Sequence, residues 1–352
     1  MKINIDNIII KNKLKNKIFL LILIFILLLM FFISINLGKA KIGINEVIKI
    51  LYAKLTFNNV MLYYLDNVKV TIIWEIRLPR ILTAIIVGAG LAFSGIIFQA
   101  LLINPLASPY TTGTSSGAAL GAVIALYINL FIPGFKLPIT VFAFIGALFA
   151  LSIVIIITRY KGELSSIDLI IAGLIISLIL QAIIIFIKCL SEESIQEILF
   201  WLMGSLAAKS WNQIFFIFLI ITICIIICMI YSRDINIMCL GDKEAKIMGI
   251  NSNRLRIILL ICVSLITAVC VSVSGIIGFI GLIIPHWIRF FIGSDNKKTL
   301  PFSLLSGAVL LLFIDSASRI ILNFDIPIGI ITTTLGGLFF IYIFIKEKKA
   351  IY

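Results

Sequence analysis

A series of charge-poor apolar runs constrains this chain more than any other feature, because each is long enough to cross a bilayer as a helix. Roughly 20 helical residues span the hydrocarbon core. The first run, residues 18–36, carries no charge. Others follow at 81–103, 115–132, 137–158, 169–187, 211–231, 257–273, 281–293, 302–322 and 328–345. Only 13% of the 352 residues are charged, against about 25% in soluble domains. A chain solvated by lipid must satisfy its backbone within each span. The pattern therefore predicts an all-α polytopic membrane protein with about ten transmembrane helices.

The formal charge of +13 would suit a nucleic-acid partner, but its distribution suits a membrane. With the N-terminus inside, the basic segment 1–17, the loops after the fourth, sixth and eighth runs, and Lys346, Lys348 and Lys349 all lie on one side. That is the positive-inside bias, and it predicts that both termini are cytoplasmic. Aromatic interleaving of the basic residues is absent, which argues against an RNA-binding tail. The segment from Lys11 to Ala40 has some signal-peptide character. Its apolar stretch exceeds a usual h-region, so an uncleaved first helix is expected. The six cysteines form no C-x-x-C pair; Cys224, Cys228, Cys262 and Cys270 read as small buried hydrophobes. Nothing resembles an interdomain linker, so residues 1–352 read as one membrane domain. Its longest connection, 37–80, is external.

Small residues at four-residue spacing (Gly113, Gly117, Gly121; Ala84, Gly88, Ala92; Ala143, Ala147) predict close helix contacts. Several segments bear on function. Arg77-Leu78-Pro79-Arg80 precedes the second run outside, and Arg319 follows Asp315 by one turn at the outer end of the ninth. They read either as donors for a partner's carboxylates or as interfacial anchors. Pro105 and Pro109 forbid helix in the inner loop that also carries Asn104 and Leu106. Ser165, Ser166 and Asp168 open the fifth run with capping-box spacing. Residues 239–250 form a short inner segment bounded by Gly241 and Gly249, with Leu240, Ala245 and Met248 on one apolar stripe. It suits either a lipid surface or a protein partner. Gly275, Gly278 and Gly281 before Pro285 predict a broken start to the eighth run. His286, the single histidine, lacks the companions of a metal site, so none is expected.

No phosphate-binding G-x-x-x-x-G-K-[ST] loop occurs. Apart from Asp315 and Arg319, the spans contain few of the ionisable groups that ion-coupled carriers place at mid-membrane. No nucleophile elbow or metal-binding helix marks a membrane enzyme. A transport subunit without its own ATPase site is the reading left, with an ion-coupled secondary transporter or a partner-binding receptor as rivals.

Together the segments resemble the FecCD family, the permeases of type II ATP-binding-cassette (ABC) importers for iron–siderophores, haem and cobalamin. The likeness runs from Arg77 to Ile345. It rests on Arg77-x-Pro79-Arg80, Gly88-Ala89-Gly90-Leu91-Ala92-x-Ser94-Gly95, Asn104-Pro105-Leu106-Ala107-x-Pro109, Trp201-x-x-Gly204-Ser205, Gly241-Asp242-x-x-Ala245-x-x-x-Gly249, Gly278-Phe279-Ile280-Gly281-Leu282-Ile283-x-Pro285-His286-x-x-Arg289 and Pro327-x-Gly329. The resemblance implies the importer permease fold, paired with a second copy or a close relative. Two partner ATPases would hold ATP and magnesium, and an extracytoplasmic binding protein would deliver cargo. It also implies roles. Arg77, Arg80 and Arg319 would receive the binding protein; Gly241, Asp242, Ala245, Met248 and Gly249 would couple to the ATPase. Asn104, Leu106, Ser165 and Ser166 would gate the inner side, and Thr332, Thr333 and Thr334 would line the pathway. Asp242 and Asp325 stand where the family favours Glu, and Gly336-Gly337 where it favours Gly-x-Pro. Ferric siderophore is the expected cargo, with haem and cobalamin as alternatives.

Overall fold

The computed structural model describes residues 5–38, 40–132, 136–160, 165–190, 195–321 and 326–350. Asp325 therefore lies outside the described residues. In chain order the helices are α1 (Ile5–Asn36), α2 (Ile44–Leu55), α3 (Asn59–Tyr63), α4 (Asn67–Thr71), a π turn (Ile72–Arg77), α5 (Leu78–Leu101), α6 (Thr114–Phe131), α7 (Ile139–Tyr160), α8 (Ser166–Leu190), α9 (Ile195–Leu202), α10 (Trp211–Ile230), α11 (Ser232–Met238), α12 (Asp242–Ile247), α13 (Ser252–Ser274), α14 (Ile280–Ile292), α15 (Asn296–Ile321) and α16 (Ile328–Ala350). The described residues contain no strand.

Eight of these segments are long and apolar enough to cross a membrane, and shorter apolar helices occupy Ile280–Ile292 and Ile328–Ile343. Every one of the ten predicted runs thus has a helix. The protein is a multi-pass protein of the cell membrane. The eighth run is shortened because the chain unwinds after Ser274, with Gly275 at φ 69° and Phe279 at φ 65°.

Helix α5 sits at the centre, packed on α10, α13, α14 and α15. Its glycines explain why the approach is so close. A methyl group on Gly88 would overlap the Gly307 carbonyl of α15, and one on Gly95 would overlap the Gly281 backbone of α14. The α6–α7 pair uses the same device, with Gly117 against Gly146 and Gly121 against the Phe142 backbone. In lipid, where apolar surface is not expelled from solvent, such backbone proximity is what holds helices together. Gly113 departs from its predicted stripe: it packs on α8 at Gly173.

Irregular backbone inside the bundle is satisfied by other irregular backbone. Ser205 N donates to Ser274 O at 2.8 Å, Ile328 N to Gly204 O at 3.0 Å and Gly329 N to Met203 O at 3.0 Å. The Tyr110 hydroxyl donates to Ile277 O. Three broken connections thereby join into one node, the condition under which unwound backbone survives within a membrane protein.

Candidate functional site

The inner segment between α10 and α13 forms a small platform. Helix α11 is tied to the start of α15: Asn236 Nδ2 donates to Asp295 Oδ1 at 2.9 Å, and Asn296 N donates to Asn236 Oδ1 at 2.8 Å. Helix α12 follows, set off by Gly241 at φ 130° and Gly249 at φ 82°, conformations that favour glycine. An ion pair fastens α12 to α13: Arg256 Nη2 lies 3.0 Å from Asp242 Oδ1 and 3.2 Å from Oδ2. Arg256 is only 2% exposed, so the carboxylate neutralises a charge that is otherwise deep in protein. Arg256 was not singled out in the sequence, although an arginine between Leu255 and the apolar residues that follow was the available signal.

The orientation of α12 corrects the expected stripe. Ala245 is fully buried against the protein's own core. Leu240, Ile247 and Met248 are exposed instead, Ile247 at 86%. A six-residue helix docked by its alanine therefore offers one isoleucine and one methionine outward, with Lys243 and Glu244 also exposed.

The loop 102–113 and the start of α8 meet beside this platform. Ser166 Oγ donates to Leu101 O at 3.1 Å, joining α8 to the end of α5. Ser165 is engaged locally: its hydroxyl donates to Asp168 Oδ2 at 2.6 Å and accepts from Asp168 N at 3.0 Å. Asn104 Oδ1 accepts from Leu106 N at 2.9 Å, a tight turn that leaves Leu106 exposed. Pro105 is exposed, whereas Pro109 is buried. Pro109 fits because Gly281 has no side chain; a Cβ there would lie 2.6 Å from the proline ring. On α14, Arg289 Nη2 donates to Ile96 O at 3.4 Å. His286 stacks edge-on against Phe339 at 6.0 Å, and Pro285 lies within the helix.

The guanidinium groups of the outer arginines are turned into the fold. Arg77 is 5% exposed; its Nη1 donates to Ile35 O at 2.8 Å and its Nη2 to Ala40 O at 2.5 Å. Arg80 Nε lies 2.9 Å from Asp315 Oδ1 and Arg319 Nη2 3.1 Å from Asp315 Oδ2. Asp315 is completely buried. Arg319 additionally donates to Ser34 Oγ and to the Leu37 carbonyl at the end of α1. The three arginines clamp α1, α5 and α15 together. Desolvation forces this arrangement, because isolated buried charge is far costlier than charge paired and hydrogen-bonded. Nearby, burial and the Arg80 charge push the Lys209 amine down to about 8.

Thr332 is likewise turned inward, 2% exposed, with its hydroxyl donating to Gly329 O. Thr333 and Thr334 are exposed on α16, so only these two stand on a free face. Among the described residues, no group of three His, Cys, Asp or Glu side chains is arranged to hold a metal.

The FecCD transport family matches residues 26–346. The chain belongs to that family. The molybdate import permease MolB of Haemophilus influenzae is 34% identical over 319 residues, covering 90% of this chain and 92% of the relative. An iron chelatin transport permease of Helicobacter pylori is 37% identical over 295 residues, covering 82% and 88%. A solved structure described as a metal-chelate type ABC transporter in an inward-facing conformation superposes with a TM-score of 0.80 at 31% identity, over 93% of this chain and 99% of that one. This FecCD protein is thus an ABC importer permease, and the cargoes named for its relatives differ.

Proposed function

We propose that this FecCD permease carries a ferric chelate, delivered by an extracytoplasmic binding protein, through a pathway formed with a second permease copy or a close relative. Two ATPase subunits would seat on α12 and hold ATP and magnesium. The observation that supports this reading is the projecting face of α12, where Ile247 and Met248 stand free of the fold while Ala245 and Asp242 hold the helix to it. A short helix with one apolar tip and a rigid attachment suits insertion into a partner's cleft and transmission of its motion. Movement of α12 would pass through Asp242 and Arg256 into α13. That helix packs on α5, α6, α7 and α10. The Leu101–Ser166 contact between α5 and α8 would open or close with it, switching the inner gate around Asn104, Leu106, Ser165 and Ser166.

Chemistry of the wall favours a chelate. The spans 169–187 and 328–345 contain no charged residue, and their exposed side chains are mostly Ile, Leu and Phe. Apart from the Thr333 and Thr334 hydroxyls, such a surface offers a small oxyanion little to replace its water, a cost of several kcal/mol. A metal wrapped in an organic ligand sheath loses less. Molybdate is the second reading, favoured by the likeness to MolB; haem and cobalamin are further chelate-type cargoes.

The test is reconstitution of the complex captured through a tag on this chain, with uptake of iron-55 siderophore and molybdenum-99 molybdate measured in proteoliposomes. Vanadate-sensitive uptake of the iron chelate is expected. Molybdate uptake would shift the cargo. Uptake that persists under vanadate and follows an imposed ion gradient would overturn the importer reading for a secondary transporter.

A further inference from the structure

Two cavities open side by side between α1 and the α14–α15 pair. One, of 380 Å³, is lined by α1 from Leu14 to Ile22 with Phe291 and Ile292; Lys15 lies in its wall. The other, of 270 Å³, is lined by Leu23, Ile284, Trp287, Val309 and Phe313, among others. Phe19 and Phe291 belong to both, their rings 6.1 Å apart, so the two hollows form one furrow divided by an aromatic ridge. Each approaches or falls within the size range of small-molecule pockets.

We infer that this furrow binds an anionic phospholipid of the inner leaflet, its acyl chains in the two hollows and its phosphate beside Lys15. Three observations carry this. The lining is flexible and bulky, mostly Ile, Leu, Phe and Trp, with Ser306 its one small residue and no glycine or alanine. Every close helix contact described above depends instead on glycine and alanine. A rigid helix from a protein partner needs that small-residue approach, whereas acyl chains conform to an uneven apolar wall. The charge is also of one sign. Lys15 is exposed in the cavity wall, and Lys17 on the same helix and Lys297 in the first turn of α15 are also exposed. Asp295, the acid that follows Phe291 and Ile292, is held by Asn236 and Lys298. Finally, only 17% of the spanning window of α1 is buried, so the helix that walls the furrow is largely open to lipid. A juxtamembrane lysine near an anionic surface contributes roughly a fivefold preference.

Trp287 reports on the site directly. The protein is reconstituted into phosphatidylcholine vesicles doped with brominated phosphatidylglycerol or brominated phosphatidylcholine, and the Trp287 signal is taken as the difference from Trp287→Phe. Quenching should reach half its limit at a roughly fivefold lower fraction of the anionic lipid. That preference should collapse in Lys15→Gln, whose change is surface-exposed, and at high salt. Equal quenching by both lipids, or a preference that survives the substitution, overturns the site. Because no ATPase or binding protein is present, the result is independent of the transport reading.

Discussion

The two ends of the bundle handle charge in opposite ways. At the outer end, Asp315 binds Arg80 and Arg319, and Arg77 closes on the carbonyls that finish α1. All three guanidiniums point into protein, and α1, α5 and α15 cannot separate without exposing them. At the inner end, α12 hangs between two positive-φ glycines and is held by a buried alanine and an ion pair whose carboxylate is half-exposed. A region that must stay fixed has its charges enclosed, whereas a region suited to moving has few contacts and an exposed tip. Low local contact density is the physical content of mobility.

The largest test of this contrast is Asp315→Ala. Removing the shared carboxylate leaves two buried cations facing one another, a loss on the order of 3–5 kcal/mol. Thermal unfolding in lipid should fall steeply, and a variant as stable as wild type would refute the clamp. Next comes Ala245→Arg, which forces a long charged side chain into a site with no exposure; we expect roughly 1–3 kcal/mol of destabilisation from overpacking. The matching substitution on the free face, Ile247→Glu, should change stability by less than about 0.5 kcal/mol while abolishing recovery of the ATPase with the tagged permease. Retained ATPase binding in that variant would remove α12 as the contact.

Asp242→Asn should have an intermediate effect, about 1–2 kcal/mol, because it weakens a charge-assisted contact to a buried guanidinium. Its signature would be ATP hydrolysis that continues with reduced transport. Wild-type stoichiometry would show that α13 is moved by another route. The one stabilising substitution is Lys209→Met. Burial depresses the folded amine to about 8 from an ordinary 10.5, so the unfolded chain binds the proton more readily between those values. The charged lysine thus opposes folding fully below about pH 8, and the opposition fades as pH rises toward 10.5. The methionine variant should melt a few degrees higher at pH 7, with the gain shrinking above pH 8. A constant gain at all pH would assign it to packing alone.

Sequence by itself determined the solvent and the architecture. Runs of about 20 apolar residues admit only helices in lipid, and the lysine asymmetry orients them. The order of Arg77-x-Pro79-Arg80, the Gly241–Gly249 segment and the glycines before Pro285 was enough to indicate the family. Tertiary structure alone decided which way side chains face. Arg77, Arg80 and Arg319 looked like outward donors because spacing cannot show that Asp315, 235 residues after Arg80, supplies a buried counter-charge. Ala245 and Ile247 are two positions apart on one short helix, so composition could not say which is docked and which is free. Thr332 and Thr333 differ for the same reason. Helical periodicity gives relative angles between residues, but the absolute rotation of each helix is set by packing against neighbours distant in sequence.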